Sequence, residues 1–190
     1  MKNIRIYDFE DSFTFNIATC FFLQGVNPIV LSFKELEKDL KNKDFSQDMF
    51  VLGPGPGSPK IYDYTYDLLK TRILSGYKFL GICLGHQIIL NSLGFEIRRS
   101  NNPIHGFTEK LKLDEYWKEK LDLKSSTIEV QRYNSLEVFE NSKLESHIKC
   151  LKKNDVVYAS SLKKTISYQF HPESIGTLDS NIFFNSFIRL

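Results

Sequence analysis

Cys83 stands between two glycines in Gly81-Ile82-Cys83-Leu84-Gly85, and His171 and Glu173 flank a proline in His171-Pro172-Glu173. A thiolate, an imidazole and a carboxylate that orients the imidazole are the parts of a nucleophilic acyl-transfer site. In such a site the sulfur attacks a carbonyl carbon, and the imidazole takes the thiol proton and later protonates a leaving amine. Small residues on both sides of Cys83 allow a sharp turn from strand to helix, a nucleophile elbow with cysteine in place of serine. At a helix N-terminus the unpaired N–H groups would favour thiolate over thiol. The pentapeptide alone also fits a buried cysteine between structural glycines, and an isolated His-Pro-Glu turn fits a structural role. Together they make one constellation.

The elements around these residues predict how they are positioned. Lys78–Ile82 reads as a buried strand feeding a helix that opens at Leu84 and closes at Gly94. Ile4–Tyr7, Pro28–Ser32, Met49–Leu52 and Phe95–Arg98 read as further strands. Helices are expected from Phe13 to Leu23, capped by Asp11 or Ser12 and ended by Gly25, and from Tyr64 to Leu74, ended by Gly76. A charged, weakly helical stretch precedes Met49. Strands alternating with helices predict an α/β fold with a mostly parallel central sheet covered by helices.

Beyond Asn101 the segments become shorter and more polar. His105–Thr108, Ser126–Arg132 and Ser135–Phe139 suggest a small additional antiparallel sheet, while the charged stretch Lys110–Ser125 carries no readable chemistry. Val156–Ala159 and Thr165–Phe170 are strands, and the second delivers His171 at its end. Asp179 or Ser180 can cap a last helix through Phe183, Phe184, Phe187 and Ile188. With no repeat or linker, residues 1–190 are expected to form one domain.

Gly53-Pro54-Gly55-Pro56-Gly57-Ser58-Pro59 follows the third strand. It lacks the Lys-Ser/Thr of a phosphate-binding loop, and its prolines remove N–H donors that a phosphate cradle needs. As a rigid loop it makes sense, because prolines fix the backbone and glycines present bare N–H groups to a ligand. A purely structural turn is the competing reading.

Composition excludes other classes. The 190 residues are 42% hydrophobic and 25% charged, with a formal net charge of +2. That balance argues against nucleic acid or an anionic membrane as partner. Neither a signal peptide nor an apolar stretch of membrane-spanning length is evident. Cys20, Cys83 and Cys150 are odd in number and widely spaced, so a reducing cytoplasm is the expected compartment.

With these residues placed, the sequence resembles the class I glutamine amidotransferases, with a flavodoxin-like fold. Within them it is similar to the glutaminase subunits of anthranilate and para-aminobenzoate (aminodeoxychorismate) synthesis. The resemblance rests on Asp11–Asn16, Gly53–Pro59, Gly81–Gln87, His105-Gly106, Tyr133-Asn134-Ser135-Leu136 and Gln169–Ser174, in the family's order. It implies that Cys83, His171 and Glu173 form a triad that hydrolyses L-glutamine through a γ-glutamyl thioester. It further implies an oxyanion hole at the N–H groups of Gly55 and Leu84. Glutamine would be held by Gln87, Ser135, Leu136 and the Gly55-Pro56-Gly57 backbone. Ammonia would pass to a synthase subunit that uses it on chorismate, most simply to make anthranilate, with aminodeoxychorismate for folate synthesis, or a subunit shared by both, as the alternative. The family implies no cofactor in this subunit, with Mg²⁺ in the partner. Guanine-nucleotide or carbamoyl-phosphate synthesis is an alternative acceptor chemistry, and a non-catalytic subunit on the same scaffold is a third reading.

Three positions depart from the family. Asn134 stands where histidine is common, Asp8-Phe9-Glu10-Asp11 replaces Asp-Asn-Tyr-Asp, and residues 110–125 diverge. His86 is expected to pack or hydrogen-bond near the elbow. A Cys83–His86–His171 metal site competes with the triad for the same groups and is set aside, so no metal ligands are expected. His105 belongs to a turn with Gly106, and His147, Cys20 and Cys150 are assigned structural roles.

Overall fold

The computed structural model describes residues 3–141 and 147–190. In chain order these form β1 (Ile4–Asp8), α1 (Thr14–Phe22), β2 (Pro28–Ser32), α2 (Leu36–Lys41), β3 (Met49–Leu52) and α3 (Tyr66–Leu74). The elbow strand and helix follow as β4 (Lys78–Ile82) and α4 (Leu84–Ser92). Then come β5 (Glu96–Lys112), α5 (Glu115–Leu121), β6 (Thr127–Phe139), β7 (Lys149–Lys153), β8 (Val156–Leu162), β9 (Thr165–Tyr168) and α6 (Asn181–Ile188).

The parallel part of the sheet runs β2-β1-β3-β4-β9. β3, β4 and β9 are buried at every position, as expected of central strands covered on both faces. Side chains alternate between faces along each strand. Ile4 and Ile6 of β1 join Val51, Leu80, Ile82 and Ile166 on one side, where α6 packs Phe183, Phe184 and Phe187. Tyr7 joins Phe50, Leu52 and Phe79 on the other, covered by Leu69 and Ile73 of α3 and Ile88 and Ile89 of α4. Each fully buried phenylalanine contributes about 2 kcal/mol from the area removed from water.

The expected antiparallel strands are present and are hydrogen-bonded onto the parallel sheet through the β9–β8 pair, so that the described strands make one nine-stranded sheet. β5 and β6 are longer than their sequence fragments suggested. Phe95–Arg98 and His105–Thr108 fall in or beside one strand, interrupted by irregularities between Arg99 and Ile104 and between His105 and Phe107. Ser126–Arg132 and Ser135–Phe139 likewise merge into β6. The stretch from Lys110 contains the end of β5 and then α5, where the Asp114 carboxylate accepts from the Trp117 N–H at 2.9 Å and Trp117 is buried. β7 has no clear signal in the sequence, because Lys149–Lys153 holds three lysines without alternation and only Cys150 and Leu151 to signal burial.

Helix starts are the other difference. α1 begins after Phe13 with no side-chain cap, because Asp11 Oδ1 instead accepts from the Phe13 N–H at 2.9 Å in the preceding turn. Ser180 precedes α6 in helical conformation, also without a side-chain cap. A run of tight turns, Pro59–Thr65, takes the first residues of the helix expected from Tyr64.

Candidate active site

The elbow is built by close approach. A Cβ on Gly85 would lie 2.0 Å from the Leu52 carbonyl oxygen, and one on Gly81 would lie 2.7 Å from the Gly85 oxygen. Only glycine lets the first turn of α4 press against β3 and β4. Gly85 N–H donates to Gly53 O at 3.1 Å, which ties the elbow to the start of the proline-glycine loop. Between the glycines Cys83 has φ 52°, a conformation rarely adopted by residues with a side chain. Its N–H donates to Tyr168 O at 2.8 Å, so the link to β9 extends into the elbow itself.

That link brings the end of β9 beside the thiol. His171 N–H donates to Gln131 O at 2.9 Å, and the Thr177 hydroxyl donates to His171 O at 2.7 Å. The imidazole Nδ1 lies 2.7 Å from Glu173 Oε1, with both side chains buried. Nε2 has no hydrogen-bond partner within normal limits among the described residues, nor has the second Glu173 oxygen. Burial acts to lower the His171 pKa. The Cys83 sulfur, by charge and contact, and then Glu173 outweigh it and hold the imidazole well above its ordinary range. The rings of Phe13 and Tyr133 pack against the imidazole with centroids 5.2 and 5.0 Å away, which fixes its plane.

A cavity of about 150 Å³ opens at the thiol, lined by Gly55, Pro56, Gly57, Cys83, Leu84, Gln87, Tyr133, Asn134, Ser135 and Leu136. It suits one amino-acid-sized molecule. Every substrate-binding position expected from the sequence lines it. Gly55 permits no side chain, since a Cβ would lie 2.6 Å from Phe9 Cβ and 2.7 Å from Leu84 Cδ2. Gln87, one turn into α4, donates to Leu136 O and Gln169 Oε1, both at 3.2 Å. Gln169 Nε2 in turn approaches Cys83 Sγ at 3.9 Å.

A family model, glutamine amidotransferase class-I, matches residues 5–190 of this chain. The chain belongs to the class I glutamine amidotransferases. This amidotransferase is 29% identical over 190 residues to anthranilate synthase component 2 of Haemophilus influenzae, covering 95% of this chain and 93% of the relative. It is 31% identical over 192 residues to anthranilate synthase component 2 of Helicobacter pylori, covering 94% and 91%. Among solved structures, a Thermoplasma acidophilum protein assigned to GMP synthase matches with TM-score 0.79 at 20% identity, over 100% of this chain and 93% of that one. A glutamine amidotransferase from Thermotoga maritima matches with TM-score 0.66 at 19% identity, over 90% and 76%. The structural likenesses speak for the fold.

In the amidotransferase His86 lies behind the elbow, fully buried. One ring nitrogen meets Ser167 Oγ at 2.8 Å and the other Val157 O at 3.2 Å. Burial pushes its pKa down to about 3, so the ring is neutral and both nitrogens are occupied, as expected of a packing residue. Among the described residues no group of three or more His, Cys, Asp and Glu side chains is placed to hold a metal ion. No described helix is long and apolar enough to cross a membrane. His105 sits beside Gly106, whose φ is 79°, at a bulge in β5. Cys20 Sγ meets Ser180 Oγ at 3.8 Å on the α1–α6 side.

Sequence reasoning assigned no role to three side chains that shape the site. Phe13 and Tyr133 clamp the imidazole. Gln131 pins the loop that carries it, accepting from Gly176 N–H at 2.9 Å and donating to Gly106 O at 3.0 Å. Phe13 and Tyr133 lie in segments that carried the resemblance, but nothing in their spacing reveals a ring-on-ring contact.

Proposed function

We propose that this amidotransferase is the ammonia-supplying subunit of a two-part synthase and hydrolyses L-glutamine with Cys83, His171 and Glu173. The observation that carries the reading is the cavity of about 150 Å³ with Cys83 at its wall and a buried His171–Glu173 pair beside it. Cys83 Sγ attacks the side-chain amide carbon of glutamine, and the carbonyl electron pair moves onto oxygen. The N–H groups of Gly55 and Leu84 stabilise that oxyanion, an interaction whose loss costs about 3–4 kcal/mol of transition-state binding in comparable sites. When the oxyanion collapses, the C–N bond breaks and His171 Nε2 delivers its proton to the leaving nitrogen, releasing ammonia. Water then attacks the thioester with His171 as base, which frees glutamate and returns the thiol. Glu173 holds Nδ1 and favours the charged ring throughout.

Gln87, Ser135, Leu136 and the Gly55-Pro56-Gly57 backbone hold the amino-acid end of the substrate. Ammonia passes to a synthase subunit that uses it on chorismate. The relatives named anthranilate synthase component 2 support anthranilate as its product. No cofactor is required in this subunit, while Mg²⁺ belongs to the partner, and the complex works in the cytoplasm.

Cys83→Ala should abolish glutamine hydrolysis, followed as glutamate release, and leave assembly with the synthase intact. Parent-level hydrolysis by that variant would refute the assignment of the nucleophile. Reconstitution with anthranilate and aminodeoxychorismate synthase subunits, followed by product fluorescence, tests the acceptor. Product formed only with the aminodeoxychorismate subunit would move the protein to folate synthesis.

A further inference from the structure

The wall of the cavity opposite the elbow is a piece of β6 whose pairing with β5 breaks at Ser135. Asn134 pairs with Ile104 of β5 and Leu136 with Arg99, so residues 100–103 bulge out opposite Ser135, which has no register partner among the described residues. On its other side β6 pairs with β8 only at Phe139–Val156. Cross-strand pairing therefore lapses at Ser135, between the pairs made by Asn134 and Leu136, and side chains brace the wall there.

Alternation along β6 sends Ile128, Val130, Arg132 and Asn134 to the same buried face. Two apolar residues and then a buried guanidinium is an unusual row. Arg132 is 2% exposed and donates to the Glu109 carboxylate at 2.6 Å, to Glu137 at 3.2 Å and to the Tyr158 hydroxyl. Its remaining nitrogen, Nε, donates to Asn134 Oδ1 at 2.9 Å. Asn134 Nδ2 then donates to Leu136 O at 2.8 Å, and Gln87 Nε2 donates to the same oxygen at 3.2 Å. Both lone pairs of that carbonyl are taken, one from each side of the cavity. Glu137 also accepts from the Ser100 hydroxyl at 2.8 Å, which anchors the bulge to the same network.

We propose that Arg132, acting through Asn134, is a positioning residue that holds the Ser135-Leu136 wall in the geometry that grips the amino-acid end of glutamine. The inference rests on the reading of this cavity as the glutamine site. Arg132 sets which way the Asn134 amide faces, because a guanidinium can only donate and so must meet the amide oxygen. The amide nitrogen is thereby aimed at Leu136 O. Asn134 spends its oxygen and one N–H on the protein, so its effect reaches the ligand through the backbone. The relay touches the holding wall and not the sulfur, so its loss should weaken capture while leaving the thiol as reactive as before.

The test compares two reagents for Cys83 in the purified chain. 6-Diazo-5-oxo-L-norleucine carries the amino-acid end of glutamine, whereas iodoacetamide carries none. Asn134→Asp keeps the acceptor for Arg132 but sets an oxygen against Leu136 O. It should raise the half-saturating concentration of the glutamine analogue about tenfold or more, with the limiting rate and the iodoacetamide rate within about twofold of the parent. Arg132→Met should act in the same direction. Combined with Asn134→Ala, it should add nothing beyond the larger single effect, as expected of residues in one chain of contacts. Arg132→Met takes away the Glu137 ion pair and leaves Glu109 with Lys153 alone, and can fail to fold, in which case Asn134→Asp decides the matter. An unchanged half-saturation in Asn134→Asp, or equal slowing of both reagents, overturns the inference. A parent enzyme that iodoacetamide labels and the analogue does not would instead overturn the glutamine reading, and the inference with it.

Discussion

The two walls of the cavity are held by different forces. On the elbow side, α4, β3 and the proline-glycine loop meet backbone to backbone, with glycines where a methyl would overlap a carbonyl or a neighbouring side chain. On the β6 side the backbone pairing breaks at Ser135, and a buried cation, two carboxylates, a phenol and an amide brace it there. Steric fit admits almost no variation, since a misplaced carbon must move main chain. Hydrogen bonds are individually modest and can be weakened in steps. The proposed nucleophile sits on the rigid wall, and Ser135 and Leu136, proposed to grip the amino-acid end of the substrate, sit on the adjustable one.

The largest effect should come from Gly85→Ala. Its methyl would lie 2.0 Å from the Leu52 oxygen, and helix and strand cannot separate without opening the sheet. A loss of about 4 kcal/mol or more is expected by urea titration, or failure to accumulate folded protein. Parent-like stability would break the contrast between the walls. Gly55→Ala comes next, because its methyl meets Phe9 and Leu84 Cδ2 and shifts the loop N–H proposed to stabilise the oxyanion. Glutamine hydrolysis should fall about a hundredfold, measured as glutamate release, while the protein stays folded.

On the β6 side the effect should be smaller and should depend on pH. Glu109 tends to be pushed up by burial, but bonds from Arg132, Lys153 and Tyr158 hold it below the usual carboxylate range. A carboxylate depressed in the folded state stabilises the fold fully above its unfolded pKa of about 4.3 and loses that contribution as pH falls through the folded value. Glu109→Gln should therefore cost roughly 1–3 kcal/mol at pH 7 and progressively less below about pH 4. Thermal melts across that range would measure it, and a penalty that did not change with pH would sharpen the account toward packing alone.

The parallel half and the elbow were legible in the sequence because their signals are local. Short apolar runs mark β1 to β4, glycines with positive φ mark the ends of α1, α3 and α4, and two small residues bracket Cys83. On the β6 side the cavity residues were legible only through resemblance, since nothing in Ser135-Leu136 itself speaks of a ligand. The β5–β6 pair was read in fragments, because the bulge at 100–103 and the glycine at 106 interrupt the alternation that identifies a strand. Arg132 escaped notice for a related reason. A charged residue in an alternating strand reads as solvent-facing, and only the carboxylates brought from Glu109 and Glu137 explain its burial.

Cys83 sits at a backbone corner, φ 52° and ψ −101°, that is disfavoured for any residue bearing a side chain. Glycine would rest there comfortably. Folding alone gives no reason to put a larger residue at that position, so the surrounding framework must be stiff enough to keep an unwilling one in place. That same stiffness fixes the direction of the Cα–Cβ bond of Cys83, whose side chain lines the cavity.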